Sequence, residues 1–106
     1  MPKYLVQASY TPEGLKGLQK DKASGRADAL RKAVESIGGK LEAYYVALGD
    51  YDVVTIIDAP DIGSITSLCL TASGSGLVRT KTTALLTAEE TDRALQRQVD
   101  YRAPGR

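Results

Sequence analysis

Lys40-Leu41-Glu42-Ala43-Tyr44-Tyr45-Val46-Ala47-Leu48 and Tyr51-Asp52-Val53-Val54-Thr55-Ile56-Ile57-Asp58-Ala59 are two apolar, aromatic and β-branched runs separated only by Gly49-Asp50. Such residues suit the pleated, half-buried surface of a sheet. A two-residue link with glycine first suits a type II′ turn, in which Gly49 takes a positive φ. The two runs are therefore expected to be strands paired as an antiparallel hairpin.

Working outward, Tyr4 to Tyr10 alternates Tyr4, Val6, Ala8 and Tyr10 against Leu5, Gln7 and Ser9, the pattern of a strand. Thr11-Pro12-Glu13-Gly14 ends it, and Leu15 to Lys22 has room for a short helical turn. Ser24 is placed as an N-cap for a helix over 25–37, where Ala27, Leu30, Ala33, Val34 and Ile37 recur every three or four residues. Gly38-Gly39 is its stop, since glycine readily takes the left-handed conformation past a helix end. Beyond the hairpin, Pro60-Asp61 opens a second helix with Ile62, Ile65, Leu68, Cys69 and Ala72 on one face, closed by Ser73-Gly74-Ser75-Gly76. Leu77 to Leu86 is a fourth strand. Thr87-Ala88-Glu89-Glu90 fits a capping box, predicting a third helix over about 88–99. Residues 1–99 then make one domain, and 100–106 a flexible tail.

The order strand, helix, strand, strand, helix, strand, with right-handed crossovers, gives a four-stranded antiparallel sheet in the order 4-1-3-2 and helices on one face. This is an α+β, ferredoxin-like βαββαβ fold. Helices cover only one sheet face, so the other should alternate toward polar residues. Gln7, Ser9, Glu42, Arg79, Lys81 and Thr83 comply, but Val54 and Ile56 face one side while Val53, Thr55 and Ile57 face the other. Tyr44 and Tyr45 likewise put one ring on each face. A free face carrying Val, Ile and Tyr is an apolar patch of the kind that marks an interface. Two copies are expected to pack through it as a homodimer; the alternative is that the third helix folds back over it.

Composition excludes more than it selects. The 106 residues fit one domain, and 14 Lys and Arg against 13 Asp and Glu leave a net charge of +1. That near-neutral, interspersed charge gives no field for nucleic acid or an anionic membrane. No apolar run approaches the ~20 residues of a membrane span, and no secretory leader precedes the first strand. A single cysteine, Cys69, allows no internal disulfide and suits a reducing cytoplasm. Histidine is absent, which removes Ser-His and Cys-His nucleophile pairs, the usual zinc ligand sets and a proximal haem ligand. No metal and no cofactor are expected.

Gly49, Tyr51, Asp52, Val53 and Val54 together form a Gly-x-Tyr-Asp signature running into an apolar strand. With Tyr10-Thr11 and Gly14, Arg26-Ala27, Gly38-Gly39-Lys40-Leu41, Ala59-Pro60-Asp61, and Gly76 with Val78-Arg79-Thr80, the chain resembles the GYD-domain family of bacterial proteins over about residues 1–90. The resemblance implies a dimeric α/β-barrel, two ferredoxin-like sheets meeting face to face. It implies no particular activity: that superfamily holds monooxygenases, isomerases, haem enzymes and ligand-binding regulatory modules. The haem branch is disfavoured by the missing histidine.

Candidate site residues carry two readings each. Tyr51 is a hydrogen-bond donor to a ligand or an aromatic anchor. Asp52 is a base or ion-pair partner, or a cap on a nearby backbone N–H. Their adjacency on a strand sends them to opposite faces. Arg79 and Lys81 share a face and can bind an anion, or are solvated charges. Tyr10 and Tyr45, with Tyr4, frame a small-molecule cleft or pack as core. Cys69 is read as a small buried hydrophobe. Gly38, Gly39 and Gly49 are structural turns. Two functions are then carried: a non-catalytic homo-oligomeric module binding a small ligand or a partner protein, and a cofactor-independent oxygenase or isomerase acting on a small organic substrate. Sheet-borne RNA binding lacks the aromatic pairs and basic surroundings it needs.

Overall fold

The computed structural model describes all of residues 1–106. Its elements run β1 (Lys3–Tyr10), α1 (Pro12–Ser36), β2 (Lys40–Val46), β3 (Val53–Asp58), α2 (Ile62–Gly74), β4 (Val78–Leu85) and α3 (Ala88–Leu95). The sheet is antiparallel throughout, in the order β2-β3-β1-β4. This is the ferredoxin-like topology that the element order predicts.

Register sorts the two faces. Tyr4 pairs with Ile57, Val6 with Thr55 and Ala8 with Val53, so these side chains share the face under α1 and α2. Tyr4, Val6, Val34, Ile57, Ala59 and Ile65 form the buried core, with Leu30, Leu41, Leu68 and Cys69 packed against it. Val34, Ile57 and Ile65 are almost fully buried, each stabilising the fold by roughly 1.5–3 kcal/mol. Leu5 pairs with Ile56 and Gln7 with Val54 on the opposite face.

Strand β2 departs from simple alternation. A bulge between Leu41 and Ala43 leaves Glu42 unpaired. Leu41 and Tyr44 both end opposite helix-facing residues, Ile57 and Thr55, while Tyr45 pairs with Val54 on the free face.

Four expectations need correction. First, helix α1 starts at Pro12, so its first segment is longer than the short turn expected from Leu15, while the division expected before the amphipathic segment falls at Lys22. Thr11 is the N-cap of α1, accepting from the Gly14 amide at 3.2 Å. Threonine followed by proline is a favoured helix entry, because the first-turn N–H lacks a partner in any case. The helix is broken at Lys22, which takes a φ of 66° and separates the glycine-containing first half from the amphipathic second. Second, the hairpin link is longer than Gly49-Asp50. The Ala47 amide donates to the Asp52 carbonyl at 2.8 Å, closing a loop over 48–51. A loop of that length needs no II′ turn, and Gly49 does not take a positive φ. Third, α3 ends at Leu95. Its capping box forms as predicted, with Thr87 N donating to Glu90 at 3.0 Å and Glu90 N to Thr87 Oγ1 at 3.1 Å. Nothing packs on its far end, and an unsupported short helix propagates poorly. Fourth, Ile62 is exposed rather than in the α2 core face.

The glycine stop after α1 is as the sequence predicts. Gly38 has a φ of 79° and its amide donates to the Glu35 carbonyl at 3.0 Å, while Gly39 donates to Val34 at 2.9 Å. This is the Schellman arrangement.

No residue of α3 is buried, and α3 has at most marginal contact with the rest of the chain. It does not fold back over the free sheet face. It projects as an arm with Leu86, Leu95, Val99 and Tyr101 largely exposed. The radius of gyration is 16.8 Å, against about 13 Å for a compact chain of this length.

Candidate functional site

A cavity of about 90 Å³ lies between the helix-facing side of the sheet and helices α1 and α2. Its walls are mostly apolar, with Val6, Ala8 and Val53 from the sheet and Leu30, Leu68 and Ala72 from the helices. Tyr10, Tyr44 and Arg26 are the polar side chains of most consequence in it. Thr55 also lines it, but its hydroxyl is satisfied by donating to the Val6 carbonyl at 2.8 Å. Cys69 reaches the cavity half-buried, its Sγ 3.3 Å from Thr82 Oγ1, rather than sealed within the core.

Tyr44 is the unusual group. The β2 bulge turns its ring under α1, where its hydroxyl is shielded from solvent and makes no hydrogen bond. Burial pushes its pKa up to about 12; the neighbouring Tyr10 phenol adds to the rise and the Arg26 guanidinium opposes it. Tyr10 lies beside it without the two hydroxyls meeting in hydrogen-bond geometry. The phenol is therefore a protonated donor at neutral pH, not a base. Arg26 has an Asp21 carboxylate at 3.7 Å, a charge contact too long for a hydrogen bond.

Of the residues singled out in the sequence as ligand-binding, only Tyr10 lines this cavity. Asp52 accepts from the Tyr10 amide at 2.8 Å, and its own amide donates to the Ala8 carbonyl at 2.8 Å. Its carboxylate thus extends the β1–β3 pairing beyond the last ladder residues. Tyr51 is half-buried in the loop, apart from the cavity. Tyr45 is 69% exposed on the free face. Arg79 pairs with Ser9 on that same face, exposed. The structure does not bring these five together.

Tyr44 and Arg26 are the residues that sequence reasoning missed as a pair. Arg26 stands four before Leu30 and eight before Val34, on the apolar stripe of α1, and that spacing was the available signal. Tyr44 had no comparable signal, because the bulge that aims it is invisible in the alternation.

On the free face, Lys3 Nζ bridges Glu42 Oε1 at 2.6 Å and Asp58 Oδ1 at 2.9 Å. Burial pushes Asp58 up, but the Lys3 ammonium, donating to Oδ1, outweighs it and leaves the carboxyl below its usual value. No cluster of three or more His, Cys, Asp and Glu side chains is placed to hold a metal ion. No helix is long and apolar enough to cross a membrane.

Comparison with known proteins agrees with the fold. The model of the GYD domain family matches residues 4–95. A relative from Thermus thermophilus, named "Glutamine synthetase and cystathionine beta-lyase binding protein", is 29% identical over 83 residues, covering 77% of this chain and 85% of that protein. The crystal structure of TTHA0845, also from Thermus thermophilus, is similar in fold, with a TM-score of 0.51 and 20% identity over 83% of this chain and 96% of that one.

Proposed function

The chain belongs to the GYD-domain family, and from that premise we propose that it is a homodimeric, non-catalytic binding module of the cytoplasm whose clients are metabolic enzymes. The observation that carries the self-association is unpartnered surface. The chain exposes 7547 Å², about 1,800 Å² more than a compact monomer of 11.3 kDa. Stable interfaces take roughly 800 Å² from each partner, and obligate homodimers more. The apolar groups lie where a second copy can use them: exposed Tyr45 beside half-buried Leu5, Val54 and Ile56 on the free sheet face, and exposed Leu86, Leu95, Val99 and Tyr101 along the arm.

The client class is supported by the relative named for binding glutamine synthetase and cystathionine beta-lyase. Titration of the chain against each enzyme, purified from the same organism, tests it. Saturable binding to either at micromolar concentration is expected. Binding to neither, with the chain still dimeric, overturns the client assignment and leaves the dimer standing.

The enzyme reading requires an acid or base in a water-poor cleft. The cleft exists, but its lining has no carboxylate or imidazole to serve as a base. The arrangement favours holding a molecule over transforming one.

A further inference from the structure

We propose that the cavity between the sheet and helices α1 and α2 is a binding site for a short aliphatic carboxylate, whose oxygens are held by the Tyr44 hydroxyl and the Arg26 guanidinium. This rests on the binding-module reading and adds a ligand class to it; neither the dimer nor the enzyme clients enter the argument.

The first ground is the unpartnered Tyr44 hydroxyl. A buried hydroxyl with no partner is costly, and native proteins leave few of them. It is a donor that needs an acceptor oxygen. The second ground is charge. Arg26 lines the same cavity, and Asp21, its ion-pair partner, stands too far off to take its donors. No carboxylate lines the cavity itself; Asp21 sits outside it, 3.7 Å from the guanidinium. An acceptor that satisfies a neutral donor and a guanidinium together is a carboxylate.

The third ground is the wall. Val6, Ala8, Val53, Leu30 and Leu68 suit an apolar body. A site that pairs such walls with a few convergent polar groups is the usual form of a small-molecule pocket. Water held by Tyr44, Tyr10 and Arg26 is the competing occupant, and the titration below separates the two. The volume of about 90 Å³ is below the roughly 150 Å³ of a cavity that holds benzene, which limits the enclosed part of a ligand to a short chain.

Isothermal titration of the full chain with isovalerate, and with its neutral isostere isovaleramide, tests the site. Isovalerate is expected to bind with one-to-one stoichiometry per chain. Isovaleramide and the Arg26→Gln variant should each bind about tenfold more weakly or worse, as for loss of one charge-assisted hydrogen bond. Arg26→Lys, which keeps the charge but not the fork, should fall between. Tyr44→Phe, checked as folded by thermal unfolding, should bind isovalerate several-fold more weakly than the native chain. Equal affinity for acid and amide would overturn the assignment, as would unchanged binding in Tyr44→Phe. No heat with either compound would leave water as the occupant and also overturn it. Enzyme binding or dimerisation that persists in that case would show that the ligand class failed while the module reading held.

Discussion

Asp52 and Tyr44 show how differently two prominent side chains can serve one fold. Asp52 belongs to the signature that makes the hairpin recognisable, yet its carboxylate is spent on the Tyr10 amide. Asp52→Ala leaves that part-buried N–H without an acceptor and should cost about 1–3 kcal/mol in chemical denaturation. Asp52→Asn keeps an acceptor and should cost less. Tyr44 is the opposite case, since its hydroxyl, although beside the Tyr10 phenol, makes no well-formed hydrogen bond. Tyr44→Phe should therefore stabilise the unliganded chain, by about 1 kcal/mol, or at the least leave it unchanged; a loss above that size would mean the hydroxyl has a partner after all. The pH dependence has a definite sign. The folded-state phenol is raised from 10.0 to about 12. Folding stability is independent of this group below about pH 10 and falls as the pH rises from there through about 12. Absorbance titration of the tyrosines should show one late-ionising phenol, absent in Tyr44→Phe. The sequence made Asp52 legible as a cap or an ion-pair partner, because aspartate at a strand start commonly bonds nearby amides. It did not make Tyr44 legible, because two adjacent tyrosines occupy both faces whichever way the strand is read.

The strands and helices were legible wherever hydrophobic period and chain direction agreed. Alternation in β1, β-branched density in β3 and the Thr87-Glu90 box each predict an element that forms. Failures fall where one local feature overrides the period: the Thr11-Pro12 entry to α1, the Glu42 bulge and the longer hairpin loop over 48–51. Glycine separates the two cases cleanly. A Cβ on Gly39 would collide with the Asp58 carbonyl, whereas one on Gly49 would meet open space. Gly39→Ala should cost roughly 1–3 kcal/mol, a typical strain for forced backbone. Gly49→Ala should fall within about 0.5 kcal/mol of the native chain, as for an ordinary surface site. Urea denaturation of both variants checks the contrast. Equal, large losses would restore the tight-turn reading that the loop geometry replaces.

At the scale of the whole molecule, the sequence pattern already isolates the free sheet face, because Val54, Ile56 and Tyr45 break the polar alternation there. The arm was not legible, since an amphipathic helix reads the same whether it covers its own sheet or another's. Only its placement, with no residue buried, distinguishes the two. The arm and the free face together leave the chain with more surface than its mass explains, and a second copy is the occupant that this account assigns. Light scattering coupled to size-exclusion chromatography measures that most directly. At micromolar concentration the expected mass is twice that of the 11.3 kDa chain. Truncation after Leu86, which removes α3 and the residues beyond it, is expected to shift the population toward the single-chain mass. A sharp single-chain peak from the intact protein at that concentration would contradict the account.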